Sequence, residues 1–148
     1  MTAYVYSAPV GVLGDVTRKT ETWIEQSLVT ATAANRPDYG APVKADATGN
    51  IEKMVGTDDA GEFLGFFIRQ VPAAGVPGGG YDPAKVQGYA KHGYVCVKCG
   101  TGTPVKGGDV YVLSDGTLST TTDTDAVKIS AKWAINGKDA DDLTEVVF

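Results

Sequence analysis

Hydrophobic and polar positions alternate most cleanly over residues 126–135. Val127, Ile129, Ala131, Trp133 and Ile135 fall on one face, and Lys128, Ser130 and Lys132 on the other. A period of two sends successive side chains to opposite sides, so this segment predicts a strand with one buried face. Residues 94–99 (Tyr-Val-Cys-Val-Lys-Cys), 109–113 (Asp-Val-Tyr-Val-Leu) and 143–148 (Leu-Thr-Glu-Val-Val-Phe) predict three more. Between them lie a Gly-rich turn at 100–108, a Ser114-Asp-Gly116 turn and a polar loop from Asn136-Gly137 to Asp142. Short strands spaced by turns of this kind predict an all-β fold, a small antiparallel β-barrel or sandwich.

Residues 62–71 are apolar on both faces. Strict alternation puts Phe63 with Phe67 on one side and Leu64, Phe66 and Ile68 on the other. Such a run predicts a strand covered on both sides. Gly65 within it predicts a bend or bulge. Upstream, residues 51–55 predict a short strand after the Thr48-Gly-Asn50 turn, and Pro42 sets its surroundings extended. Residues 72–83 hold Ala-Ala-Gly, Pro-Gly-Gly-Gly and Asp-Pro, which predicts a long exposed loop leaving one sheet and returning to it.

Residues 1–35 follow a different pattern. Trp23, Ile24, Leu28 and Val29 are scattered through polar sequence, and a helical reading yields an apolar stripe of only two turns. The expectation is an extended N-terminal arm over residues 1–35 followed by a β-barrel domain over 36–148. Trp23 is hard to bury within such an arm, which makes it either a partner anchor or a residue folded back on the barrel.

Composition supports the strand reading. Nineteen glycines in 148 residues exceed the usual share and favour turns. A net charge of −5 opposes binding to a phosphate backbone, so no nucleic-acid partner is expected. No run approaches the roughly 20 apolar residues of a membrane span, and no membrane partner is expected. The start of the chain lacks the pattern of a secretory signal, which predicts synthesis in a cytoplasm.

Candidate chemistry fails at each test of spacing. Cys96 and Cys99 could be half of a zinc site, but no second pair exists, and positions three apart on a strand face opposite ways. Two small buried side chains are the simpler account. His92 is the only histidine and has no nucleophile elbow to serve. The Gly-rich runs lack the Lys-Ser/Thr ending of a phosphate loop. Asp123/Asp125 and Asp139/Asp141/Asp142 suggest calcium, but Val127 and Leu143 stand where a fifth oxygen ligand is needed. The chain is therefore expected to be no enzyme, with no catalytic residues, no metal and no cofactor.

The order of segments resembles the capsid cement, or head decoration, proteins of tailed bacteriophages. The likeness is carried by Gly11 and Arg18, Tyr39-Gly-Ala-Pro-Val43, Thr48-Gly-Asn50 and Phe63-Leu-Gly-Phe-Phe-Ile-Arg69. It continues through Gly93-Tyr-Val-Cys-Val97, Gly102-Thr-Pro-Val-Lys-Gly-Gly108, Val110-Tyr-Val112, Ala131-Lys-Trp133 and residues 143–148. It spans about residue 10 to the end and consists of turn and strand patterns, with no catalytic fingerprint. The resemblance implies a tulip-like barrel on the outer surface of a virion, grouped as a homotrimer and bridging neighbouring major capsid protein subunits. The Cys pair matches nothing in it. An arm that pairs with capsid edges would use Trp23, Ile24 and Leu28, with Arg18 and Tyr39, as interface residues. The main rival is a carbohydrate- or receptor-binding β-module of a phage structural component, with Tyr81, Tyr89 and Tyr94 stacking on sugar rings. A small hydrolase or metal-dependent enzyme built around His92 or the acidic loops is the other.

Overall fold

The computed structural model describes residues 11–18, 22–69 and 81–148. Ten strands and two short 3-10 turns make up the regular structure of the described residues, which include no α-helix. The strands are β1 (Trp23–Ser27), β2 (Pro42–Ala45), β3 (Ile51–Lys53), β4 (Gly65–Phe67) and β5 (Gln87–His92). After them come β6 (Tyr94–Thr101), β7 (Asp109–Val112), β8 (Leu118–Ser119), β9 (Val127–Trp133) and β10 (Leu143–Val147). The all-β expectation holds, and so does a barrel.

The C-terminal half closes on itself in the order β10-β6-β8-β7-β9. Closure leaves no free sheet edge in this half. Four of its pairings are antiparallel, and the short β6–β8 contact is parallel. Its interior follows the alternation of the sequence. Val95, Val97 and Cys99 of β6, Val110 and Val112 of β7, and Ile129, Ala131 and Trp133 of β9 all enter one buried cluster. Lys128, Ser130 and Lys132 remain outside.

The N-terminal half forms an antiparallel sheet in the order β1-β5-β4-β2-β3. Strands β4 and β5 are neighbours, as expected for the two sides of the Pro/Gly loop. Most of that loop, residues 72–80, lies outside the described residues. The β4 region is covered on both faces. Phe66 and Ile68 join the barrel cluster, while Phe67 joins a second cluster with Val29, Val43, Ile51 and Tyr89.

The face assignment before Gly65 needs correction. Phe63 does not share a side with Phe67. Its ring meets Phe66 and Phe148, with centroids 5.3 and 6.2 Å apart, and Leu64 packs on the Phe67 side. Two local features cause the swap. A 3-10 turn at Ala60–Glu62 is fixed by a capping box: Asp59 accepts from the Gly61 N–H, and Glu62 accepts from the Asp59 N–H. Gly65 then has φ +155°, and a Cβ there would stand 1.9 Å from the Ala90 carbonyl oxygen. The pleat begins only after this glycine, so alternation cannot be read through it.

Residues 11–18 lie across both halves. The Cys96 N–H donates to the Asp15 carbonyl and the Gly14 N–H to the Cys96 carbonyl, each at 2.9 Å. Val16 forms a bridge with Val95 of β6. The Arg69 N–H donates to the Gly14 carbonyl, which ties the same segment to the end of β4. Farther on, Trp23–Ser27 pairs with β5, and Val29 bridges Ile51 of β3 at the opposite margin. Residues 23–30 therefore join both margins of the N-terminal sheet and curl it around its own core.

Candidate partner interface

The five residues singled out in the sequence divide by environment. Trp23, Ile24 and Leu28 are exposed at 72%, 49% and 46%. They lie on β1 and the residue just beyond it, and every residue of β1 except Ser27 is exposed. Among the described residues the Trp23 ring has one aromatic neighbour, the edge of His92 at 6.2 Å. An indole held by one edge contact keeps most of its apolar surface in water, an arrangement that favours a partner.

Arg18 and Tyr39 are engaged within the chain. Arg18 Nη2 donates to Glu145 Oε1 at 2.7 Å, and its guanidinium sits 4.0 Å from the centroid of the Tyr94 ring. It fastens residues 11–18 to β6 and β10. Tyr39 stacks on Phe67, with centroids 5.6 Å apart and planes 12° from parallel. Burial pushes its phenol up. It covers the second core cluster.

Sequence reasoning missed Val86, which is half exposed beside the start of β5. Ser27 pairs with Gln87, so Val86 lies level with Leu28. Ile24, Gln26 and Leu28 alternate to the same side of their strand, and Val86, Gly88 and Ala90 to the matching side of β5. The result is an apolar stripe at the margin of the sheet. Only the register reveals it, because Val86 and Leu28 are far apart in the chain.

The backbone on the outer side of Trp23–Ser27 has no partner strand among the described residues. At the other margin of this sheet, β3 is covered by the Ile51 N–H donating to Leu28 and the Thr30 N–H donating to Ile51, both at 2.9 Å. An unpaired row of amides and carbonyls beside exposed apolar side chains is a template for strand addition.

The groups weighed for catalysis and ligation have structural roles. Cys99 faces the barrel core, and its thiol lies 3.3 Å from the Thr101 carbonyl oxygen. Cys96 points the other way, beneath residues 11–15. Both are free thiols. Burial, with Asp15, Asp139 and Glu145 nearby, pushes the Cys96 thiol up to about 12. Asp139 accepts from the N–H groups of Asp141 and Leu143, which closes its loop. Asp142 pairs with Lys138 at 2.9 Å. No group of three or more His, Cys, Asp or Glu side chains converges among the described residues.

The tyrosines weighed for sugar stacking are occupied. Tyr81 donates to the Pro37 carbonyl at 2.7 Å and packs on Phe67. Tyr89 is buried and donates to Glu25 Oε2 at 2.5 Å. Tyr94 lies under Arg18. No described helix is long and apolar enough to cross a membrane.

Comparison with known proteins adds the biological setting. No curated protein matches the chain. A chain from "The capsid of Myoviridae Phage XM1" has a similar fold, with a TM-score of 0.71 and 19% identity, over 92% of this chain and 88% of that one. The family model of the XM1 gp53 minor capsid protein matches residues 1–148. The chain accordingly belongs to the XM1 gp53 minor capsid protein family, a structural component of a bacteriophage virion.

Proposed function

We propose that this capsid protein decorates the outer surface of a tailed-phage head and stabilises it by bridging neighbouring major capsid protein subunits. The observation that carries the reading is the exposed Trp23–Ile24–Leu28 stretch in a chain whose family is a capsid family throughout its length. A cement role calls for apolar contact area at a margin, away from the closed core, and this stretch supplies it. The grouping is a trimer, in which many equivalent copies on a symmetric shell amplify modest single contacts. The protein acts without catalysis or cofactor, and it is made in the host cytoplasm before joining the virion. Within residues 1–35 the contact falls on Trp23, Ile24 and Leu28, and residues 36–148 form most of the body that presents it.

Cosedimentation of the purified chain with heads lacking it tests the reading. Saturable binding at a fixed ratio to the major capsid protein is expected, with a trimeric mass for the decorating unit. Failure to bind, together with binding of small sugars by the free chain, would establish the receptor-binding alternative instead.

A further inference from the structure

The sheet margins differ in how they are finished. The barrel has no edge, and the β3 margin is covered by residues 28–30. Strand β1 carries little of the usual protection against pairing, and the one irregularity in its register with β5 lies at its start, between Trp23 and Ile24. It contains no proline and no lysine. Its single charge, Glu25, is held by the Tyr89 hydroxyl at 2.5 Å and Lys91 Nζ at 3.0 Å. The carboxylate is thereby held on the face shared with β5, and no described residue covers the backbone edge.

A second copy is a poor occupant for this edge. Antiparallel pairing of two β1 strands about a twofold axis, with all five residues in register, puts Trp23 opposite Ser27, Ile24 opposite Gln26 and Glu25 opposite Glu25. Like charges directly opposite destabilise a strand pair. Each carboxylate is already held by Tyr89 and Lys91 on its own chain. A strand of another chain, with an uncharged or basic residue opposite Glu25 and apolar residues opposite Trp23 and Ile24, meets no such conflict.

We propose that the outer edge of β1 takes up an extended strand from a neighbouring shell subunit, with Glu25 excluding self-pairing and the Ile24–Leu28–Val86 stripe receiving the strand's apolar side chains. This rests on the capsid-binding reading above and names its mode: main-chain hydrogen bonds bring the two chains together, and side chains select the partner. Trp23 caps one end of the added strand and Leu28 the other.

Hydrogen exchange read by mass spectrometry tests this on the full chain, free and bound to undecorated heads. Resolved to single amides, the N–H groups of residues 23–27 that face away from β5 are expected to exchange quickly in the free chain and roughly tenfold more slowly once bound. Binding with unchanged exchange at 23–27 overturns the strand-addition mode and leaves the decoration role standing. Failure to bind the heads removes both. Protection of those outward amides in the free chain also overturns the proposal. If it grows with concentration, the occupant is a second copy; if it does not, the occupant is another segment of the same chain.

Discussion

The closed barrel and the curled N-terminal sheet solve the same problem by different means. Each must hide apolar faces and satisfy strand edges. The barrel does both by pairing its first and last strands, β10 with β6 and β9. The sheet satisfies one margin with residues 28–30, and among the described residues the other has no partner along β1. The first arrangement serves stability, because the strand order closes on itself and leaves no margin open. The second keeps a strand available, at the cost of exposing Trp23, Ile24 and Leu28. A protein that must stay folded alone and then attach elsewhere needs both.

The sharpest way to break the comparison is to open the barrel core. Trp133 is 1% exposed and among the largest fully buried side chains. Trp133→Ala removes an indole from a core that cannot fully collapse, and should cost about 4 kcal/mol. Urea titration followed by circular dichroism should show a large fall in midpoint. A fall of under about 1 kcal/mol would mean that the barrel interior is not the main store of stability.

The joint between the two regions is next. Gly65→Ala places a methyl 1.9 Å from the Ala90 carbonyl oxygen, and Gly65 also holds a positive φ. Backbone must move on one side or the other, so the variant should lose about 3 kcal/mol. The damage should concentrate in the β4–β5 pairing. Exchange of β5 amides should therefore rise more than exchange of β9 amides.

The barrel was more legible in the sequence than the sheet. Strand β9 could be read residue by residue, because one face meets a core and the other meets water over its whole length. The opposed directions of Cys96 and Cys99 followed from the same period. The run around Phe66 was legible as doubly buried but not as to sides, since the turn at 60–62 and Gly65 reset the pleat. Strand β8 has two residues, too few to show a period. Strand β1 shows almost no burial pattern, because it is exposed on both faces and defined only by its pairing with β5. For the interface, Trp23, Ile24 and Leu28 stood out as apolar residues in polar sequence. Their partner in the stripe, Val86, required the register.

Residues 11–18 offer a finer test, because they bridge the two regions. Arg18 is half exposed, but its partner Glu145 is nearly buried. Arg18→Ala leaves that carboxylate without its salt bridge and should cost about 1–2 kcal/mol, less than a fully buried pair would. A thiol reagent gives a more specific readout. In the native protein at pH 8 both cysteines should label slowly, since burial raises both thiols and holds Cys96 at about 12. The variant should speed labelling of Cys96, which lies beneath this segment, more than that of Cys99 in the core. Equal acceleration of both would indicate general loosening. The same thiol sets an alkaline limit. Its folded pKa lies above the unfolded value of 9.0, so its contribution to stability is complete below pH 9 and is lost as pH rises toward about 12. The urea midpoint should fall across that window, and less so in Cys96→Ala.

The smallest expected effect on folding carries the most information about function. Among the described residues Trp23 has one ring contact, with the edge of His92, and it is 72% exposed. Trp23→Ala should change stability by less than about 0.5 kcal/mol. If the open margin is the contact surface, the same variant should weaken head binding by about 2 kcal/mol, roughly thirtyfold, as a buried aromatic anchor would. Truncation is a poorer experiment. Val29 belongs to the second core cluster and Val16 pairs with β6, so removing the first 30 residues would disturb both regions at once. The point variant separates the two roles. Normal folding with lost binding would make β1 an edge kept for a partner. Normal folding with normal binding would place the contact elsewhere and leave the open margin a feature of the fold alone.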